Sequence, residues 1–320
     1  MLCIIAILIM TELHNIAFFV LILLAISAGF LSEQGYVSAE SLAPKLVSAQ
    51  YYPKSQSILE LLELMAMLFG PTLSGLFLLY FKIENLIAVA MIFYVLSAFM
   101  MQKIAVESHA VPAEFKLVRN LLTGFHTIYQ HNYLINLVLL AMLINMLFGL
   151  MTGAAPVMVV GIYEKPDRFY ALLNLTAGIV GGVVIISFNY LLKYISIISI
   201  GIATFLMSCT ACILLGFSHS FFNYLFIYAF FYSVNGLFSI FFRSERARII
   251  PKEVLGRTIG AIIFITFLLF PLSGILISVS QKLFGLQSLI MFFGVVCLLL
   301  GIPLIKRIYH FQFGIKEEMQ

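Results

Sequence analysis

Charge is scarce in this sequence. Eighteen Lys or Arg and fourteen Asp or Glu make up 10% of 320 residues, against 62% hydrophobic side chains and a mean hydropathy of +1.10. A soluble chain carries about 25% charged residues, so a soluble globular class is excluded. Cysteine is scarce too: four residues, at positions 3, 209, 212 and 297, form no disulfide framework and leave the redox compartment open. The opening "MLCIIAILIMTELHN" lacks both the positive start and the small-residue cleavage site of a signal peptide. Paired catalytic groups are lacking, so no enzyme, catalytic residue, cofactor or resident metal is expected. "CTAC", Cys209 to Cys212, has thioredoxin spacing but sits in an apolar run without a strand and helix pattern. His126 and His131 are five apart, which does not place them on one helical face for zinc. The net charge of +4 reflects loop bias rather than a nucleic-acid partner.

Long apolar runs are what the chain does have. A hydrocarbon core of about 30 Å takes roughly 20 apolar residues per crossing. Runs between polar breaks predict a short segment at 2–11 and full spans near 15–38, 57–81, 85–102, 132–155, 169–192, 195–217, 221–242, 258–280 and 286–305. With alternate loops on opposite sides, fourteen Lys and Arg fall on one side and four on the other. The positive-inside rule makes the richer side, and with it the C-terminus, cytoplasmic. The densest charge is "RSERARIIPKEVLGR", where seven charged residues occupy the fifteen positions from Arg243 to Arg257. It is expected to be a cytoplasmic loop, with Glu245 and Glu253 as local partners for its cations.

Two stretches repeat. "SLAPKLV" followed by "GPTLSGLFL" matches "RIIPKEV" followed by "FPLSGILIS"; Pro44 pairs with Pro251 at an offset of 207 and Pro71 with Pro271 at 200. Internal duplication suits two pseudo-symmetric halves rocking about a central site; two unrelated Pro-Gly kinks are the alternative. If the second half starts near 132, its counterpart starts before Met1, and the first half is expected to lack about two and a half helices, with 2–11 too short to cross at about 1.5 Å per residue. The expected division is 1–105 for a truncated first half, 106–131 for an amphipathic cytoplasmic linker, 132–310 for a six-helix second half and 311–320 for a tail. In the linker Phe115, Val118, Leu122, Phe125 and Tyr129 form an apolar stripe.

At these residues the chain resembles the major facilitator superfamily, and within it the exporter branch that holds macrolide efflux and enterobactin export proteins. "ESLAPKLVSAQ" resembles that branch's loop between spans four and five, and "AMLFGPTLSG" its span-five antiporter signature. "LVRNLLTGFHTIYQHNYLINLVLL" resembles the linker into span seven, and "RIIPKEVLGRTIG" the loop before span eleven. Gly70, Pro71 and Gly75 keep the signature, while Ala66 and Ser74 replace two of its glycines; no Lys or Arg precedes Lys45, so the family's span-four arginine has no counterpart. The resemblance implies an all-α bundle and a proton-coupled exporter of small amphipathic compounds, of drug or siderophore class, in a bacterial cytoplasmic membrane. Its expected partners are membrane lipids, a small-molecule substrate and protons, and it is expected to be monomeric. An inactive truncated remnant or a membrane scaffold is the alternative.

Ionisable groups inside spans are costly and are functional candidates by default. Glu33, eleven residues before Pro44, lies about 16 Å deep, near the midplane; it is either a proton carrier or a structural acid bonded to Gln34. Glu60 and Glu63 share a helix face at i, i+3, as a site for a cationic substrate or as a solvated pair in a cytoplasmic vestibule. Gly70, Pro71 and Gly75, with Pro271 and Gly274 in the second copy, are expected to kink or thin their helices. Tyr224, Tyr228 and Tyr232 recur at i, i+4, i+8 with Asn235 on the same face, lining a cavity or packing helices. Asn145, Asn174 and Asn189 are expected to join helices. Pro44, Arg248, Pro251, Gly256 and Arg257 are the expected inner gate, with Arg257 either a latch or a topological anchor.

Overall fold

The computed structural model describes residues 23, 27, 31, 34–103, 117–166, 168–283 and 285–317. Every regular element among them is helical. Residues 34–46 form a helix, a 3-10 turn covers Ala49–Tyr51, and α1 (Tyr52–Tyr80) and α2 (Ile83–Gln102) follow. Then come α3 (Leu117–Gln130), α4 (Asn132–Val157) with a π turn at Met158–Ile162, α5 (Arg168–Leu191) and α6 (Ile197–Leu215). The last are α7 (Phe221–Ile249), α8 (Leu255–Thr266), α9 (Phe270–Leu283) and α10 (Leu286–Glu317). Among the described residues seven segments are long and apolar enough to cross a membrane. The expected span 57–81 matches α1 up to its last residue, whereas 2–11 and most of 15–38 lie outside the described residues.

The chain forms two compact units, 1–46 with 69–115, and 47–68 with 116–320. In the first, α2 is apolar all round, yet none of its 85–102 stretch is buried. A helix with Phe93, Tyr94, Phe99 and Met100 exposed needs an apolar surrounding, which lipid supplies.

The second unit is built around α4, whose Leu134, Leu137, Leu140, Ile144, Leu147 and Leu150 are fully buried against α7, α9 and α10, while α5 and α6 pack on α7. Lipid tails are as apolar as leucine, so burial alone drives little association here, and close packing decides it. Gly201 lets the Phe241 ring lie on α6, and Gly301 does the same for Phe205 on α10. Ser196 and Ser220 cap α6 and α7, accepting from the backbone N–H of Ser199 at 3.2 Å and of Asn223 at 3.3 Å.

Proline shapes two spans. Pro156 sits near the end of α4 and its missing N–H disturbs the ladder; the next turn is π, with the Tyr163 N–H donating to the Met158 carbonyl at 2.9 Å. The span expected at 258–280 is two helices, because Pro271 has no N–H for the ladder and the chain turns at 267–269. The Phe270 N–H donates to the Phe267 carbonyl instead, at 3.0 Å, which frees the Thr266 carbonyl. Asn145 of α4 donates its Nδ2 to that carbonyl at 3.2 Å, so an Asn expected to join helices satisfies a backbone group that lipid could not. Asn174 behaves differently, donating to Tyr170 of its own helix at 3.1 Å, and the Asn189 side chain lies outside the described residues.

Candidate functional site

The charge-rich stretch is not a loop from its start. α7 continues to Ile249, and Arg243, Ser244, Glu245 and Arg246 are buried. Ladder hydrogen bonds and buried neighbours hold the helix past residue 242, where the apolar run ends. Ser239 and Arg243, four apart, therefore share the α7 face that meets α1.

There the structure assembles the two carboxylates read from the sequence. Arg243 donates Nη1 to Glu63 Oε1 and Nη2 to Glu63 Oε2, each at 3.0 Å. This parallel fork is the stronger and more directional form of ion pair. Glu60 Oε2 lies 3.4 Å from Arg243 Nη2 and accepts the Ser239 hydroxyl at 2.9 Å. The side chains of Arg243 and Glu60 are 9% and 16% exposed, whereas that of Glu63 is 48% exposed. Two carboxylates thus share one buried guanidinium, with Glu63 half-exposed and Glu60 enclosed. Beneath them Leu64 of α1 packs with Ile185, Phe188, Ile200, Leu237 and Ile240, with Leu61 and Tyr232 against that cluster. This packing fixes the registry of α1 on α5 and α7.

The tyrosine face leads to the same place. Tyr224 and Tyr228 are fully buried and Tyr232 half-buried; successive ring centroids are 5.8 Å and 6.2 Å apart. Tyr163 stacks on Tyr224 at 5.4 Å, and Phe148 lies 5.8 Å from Tyr232. Asn235, half-buried, follows one turn later. The stripe is an aromatic ladder running down α7 to Ser239 and Arg243.

A second buried carboxylate lies nearby in sequence. Glu245 accepts the Tyr133 hydroxyl at 2.9 Å and the Arg248 Nη2 at 2.8 Å, joining the end of α7 to the start of α4. Arg248 thus has the local partner expected of it. Pro251 is exposed in the turn before α8, where the Val254 N–H donates to its carbonyl at 3.2 Å; Gly256 is half-buried and Arg257 exposed in the first turn of α8. Among the described residues Arg257 has no ion-pair partner, and it is its carbonyl that makes a close contact. A Cβ on Gly124 would lie 2.5 Å from that oxygen, so α3 sits against α8 through its smallest residue. On α3, Gly124, Thr127 and Ile128 are buried, while Leu122 and Tyr129 of the apolar stripe are 61% and 80% exposed.

Other expected residues are placed as follows. Glu33 lies outside the described residues. Pro44 is buried inside the 34–46 helix rather than in a loop, because the helix runs through it. α1 runs unbroken through Gly70, Pro71 and Gly75, whereas Pro271 starts α9 after a break. A Cβ on Gly70 or Gly274 would meet nothing within 4 Å, so close approach rests on other glycines. Cys209, Cys212 and Cys297 are buried free thiols.

A chain whose described elements are all helical, seven of them apolar and of membrane length, is an integral, multi-pass membrane protein. In structure it is similar to a bacterial homologue of the iron transporter ferroportin, captured by crystallography in an outward-facing state. The TM-score is 0.68 at 17% identity, over 92% of this chain and 74% of that one. The fold is the major facilitator-type helical bundle. No protein-family model matches the chain, and no curated protein matches it in sequence.

Proposed function

We propose that this protein is a transporter working by alternating access, a proton-coupled exporter of small amphipathic compounds of drug or siderophore class. On this reading it resides in a bacterial cytoplasmic membrane with its C-terminus inside. The observation that carries the reading is the Glu60, Glu63 and Arg243 cluster. One guanidinium cannot neutralise two carboxylates, and a proton is the smallest charge that balances the pair. Glu63 holds Arg243 by its fork, so Glu60, enclosed and bonded to the Ser239 hydroxyl, is the group that takes and releases the proton. Protonated Glu60 no longer attracts Arg243, which loosens α1 on α7; release of the proton restores the contact. Tyr232, half-buried beside this cluster, offers an aromatic face to the apolar part of a substrate whose cationic part can exchange with Arg243 for the carboxylates.

Divalent-ion transport, suggested by the ferroportin homologue, is less well supported. Arg243 already occupies the carboxylates, and among the described residues no group of three His, Cys, Asp or Glu side chains is placed to hold a metal.

The test is reconstitution of the full chain in liposomes loaded with a pH-sensitive dye, with a panel of lipophilic amines and siderophores added across a pH gradient. Export predicts compound-dependent proton flux that Glu60→Gln abolishes while protein and fold are retained. Proton flux unaffected by Glu60→Gln would remove Glu60 from the mechanism. No flux with any compound would favour a non-transporting scaffold.

A further inference from the structure

Where α4 begins and α10 nears its end, a cavity of about 620 Å³ is lined by Asn132, Asn136, Lys306, Arg307 and His310. We infer that it binds the phosphate of an anionic phospholipid headgroup, of the phosphatidylglycerol type. Lys306 and Arg307 are exposed and have no ion-pair partner among the described residues, in a chain where charge is rare. Across the cavity, α4 starts at His131 without a side-chain cap. Its first backbone N–H groups are thus unpaired within the helix and the positive end of its dipole favours an anion. Asn136 is buried, and its Nδ2 donates to the Asn132 carbonyl at 2.6 Å. A carbonyl only accepts, so that contact fixes the amide orientation and leaves Oδ1 without a hydrogen-bond partner. A headgroup hydroxyl is a donor of the kind it lacks.

The source of the phosphate follows from the surface beside it. Leu299, Ile302, Lys306 and Tyr309 recur at helical spacing on one side of α10, and Leu299, Ile302 and Tyr309 are exposed. An apolar stripe leading to a cation is what a lipid needs, with chains along Leu299 and Ile302 and phosphate at Lys306. A soluble phosphate would use the cavity but not the stripe.

Native mass spectrometry of the full chain in detergent decides this, with phosphatidylglycerol and phosphatidylcholine titrated separately. The expected result is retention of phosphatidylglycerol and loss of phosphatidylcholine. Lys306→Gln with Arg307→Gln should weaken phosphatidylglycerol retention about thirtyfold, whereas Lys193→Gln leaves it unchanged. Equal retention of the two lipids by the wild-type protein overturns the site, a comparison that stands even if the double variant does not fold. In a parallel arm, inorganic phosphate should neither displace the bound lipid nor raise the melting temperature; if it does either, the occupant is a soluble anion and the lipid assignment fails.

Discussion

The two ends of the second unit are held in different ways. At one end charge does the holding: Arg243 grips Glu63 and Glu60, and Glu245 takes bonds from Tyr133 and Arg248. At the other end, among the described residues, the hydrogen bonds between elements are neutral. The Tyr163 hydroxyl donates to the Ser218 hydroxyl at 2.9 Å and accepts from Gln287 Nε2 at 3.1 Å, and Gln287 also donates to the Ser218 carbonyl at 2.6 Å. That clasp ties the π turn after α4 to the α6–α7 turn and to the start of α10. A neutral hydrogen bond contributes about 1 kcal/mol whatever the protonation of its surroundings, whereas a buried ion pair changes sign of effect once a partner is removed or neutralised. On the proposed reading, the charged end is the one whose contacts depend on protonation, and the neutral end is the one whose contacts do not.

Four substitutions sharpen that contrast, each read by thermal unfolding of the full chain in detergent. Arg243→Ala strands two carboxylates and should cost about 3 kcal/mol, the lower part of the range for a broken buried pair because Glu63 is half-exposed. Adding Glu60→Gln and Glu63→Gln to it should recover most of the loss, and a loss too small to measure in the single variant would mean the cluster does not hold α1. Gly124→Ala should cost about 2 kcal/mol, since the new methyl meets the Arg257 carbonyl. Hydrogen exchange should then quicken in α3, and unchanged exchange would show that α3 is not seated on α8. Glu245→Gln keeps the shape of its contacts but weakens two charge-assisted bonds, about 1.5 kcal/mol. Tyr163→Phe should cost about 1 kcal/mol. A double-mutant cycle of Tyr163→Phe with Gln287→Ala should give a coupling well below that of Glu63→Gln with Arg243→Gln; equal couplings would erase the distinction between the ends.

Much of this was legible beforehand. The spacing of Glu60 and Glu63 put both carboxylates on one face, the apolar runs set the helix lengths, and Asn145 was marked as a joiner of helices. Arg243 was missed as their partner. It sits 180 residues from Glu63, and at the edge of a charged stretch it looked like one loop cation among five. Only the i, i+4 spacing of Ser239 and Arg243 hinted that α7 carries its polar face past residue 242. The protein-facing side of α3 was not legible for a related reason: an apolar stripe shows which side avoids water, but near a membrane both lipid and protein qualify, and it is Gly124 that meets α8.

By itself the sequence determined that this chain is a many-helix membrane protein, because hydropathy over about 20 residues is a local property tied to bilayer thickness. It did not determine where a proline breaks a span: Pro71 and Pro271 both lack the N–H, yet α1 runs on through the first while the chain turns just before the second. Tertiary structure alone decided which charges meet. Helices in lipid are selected by close packing and by the pairing of a few polar groups, and both depend on the three-dimensional approach of segments far apart in the chain.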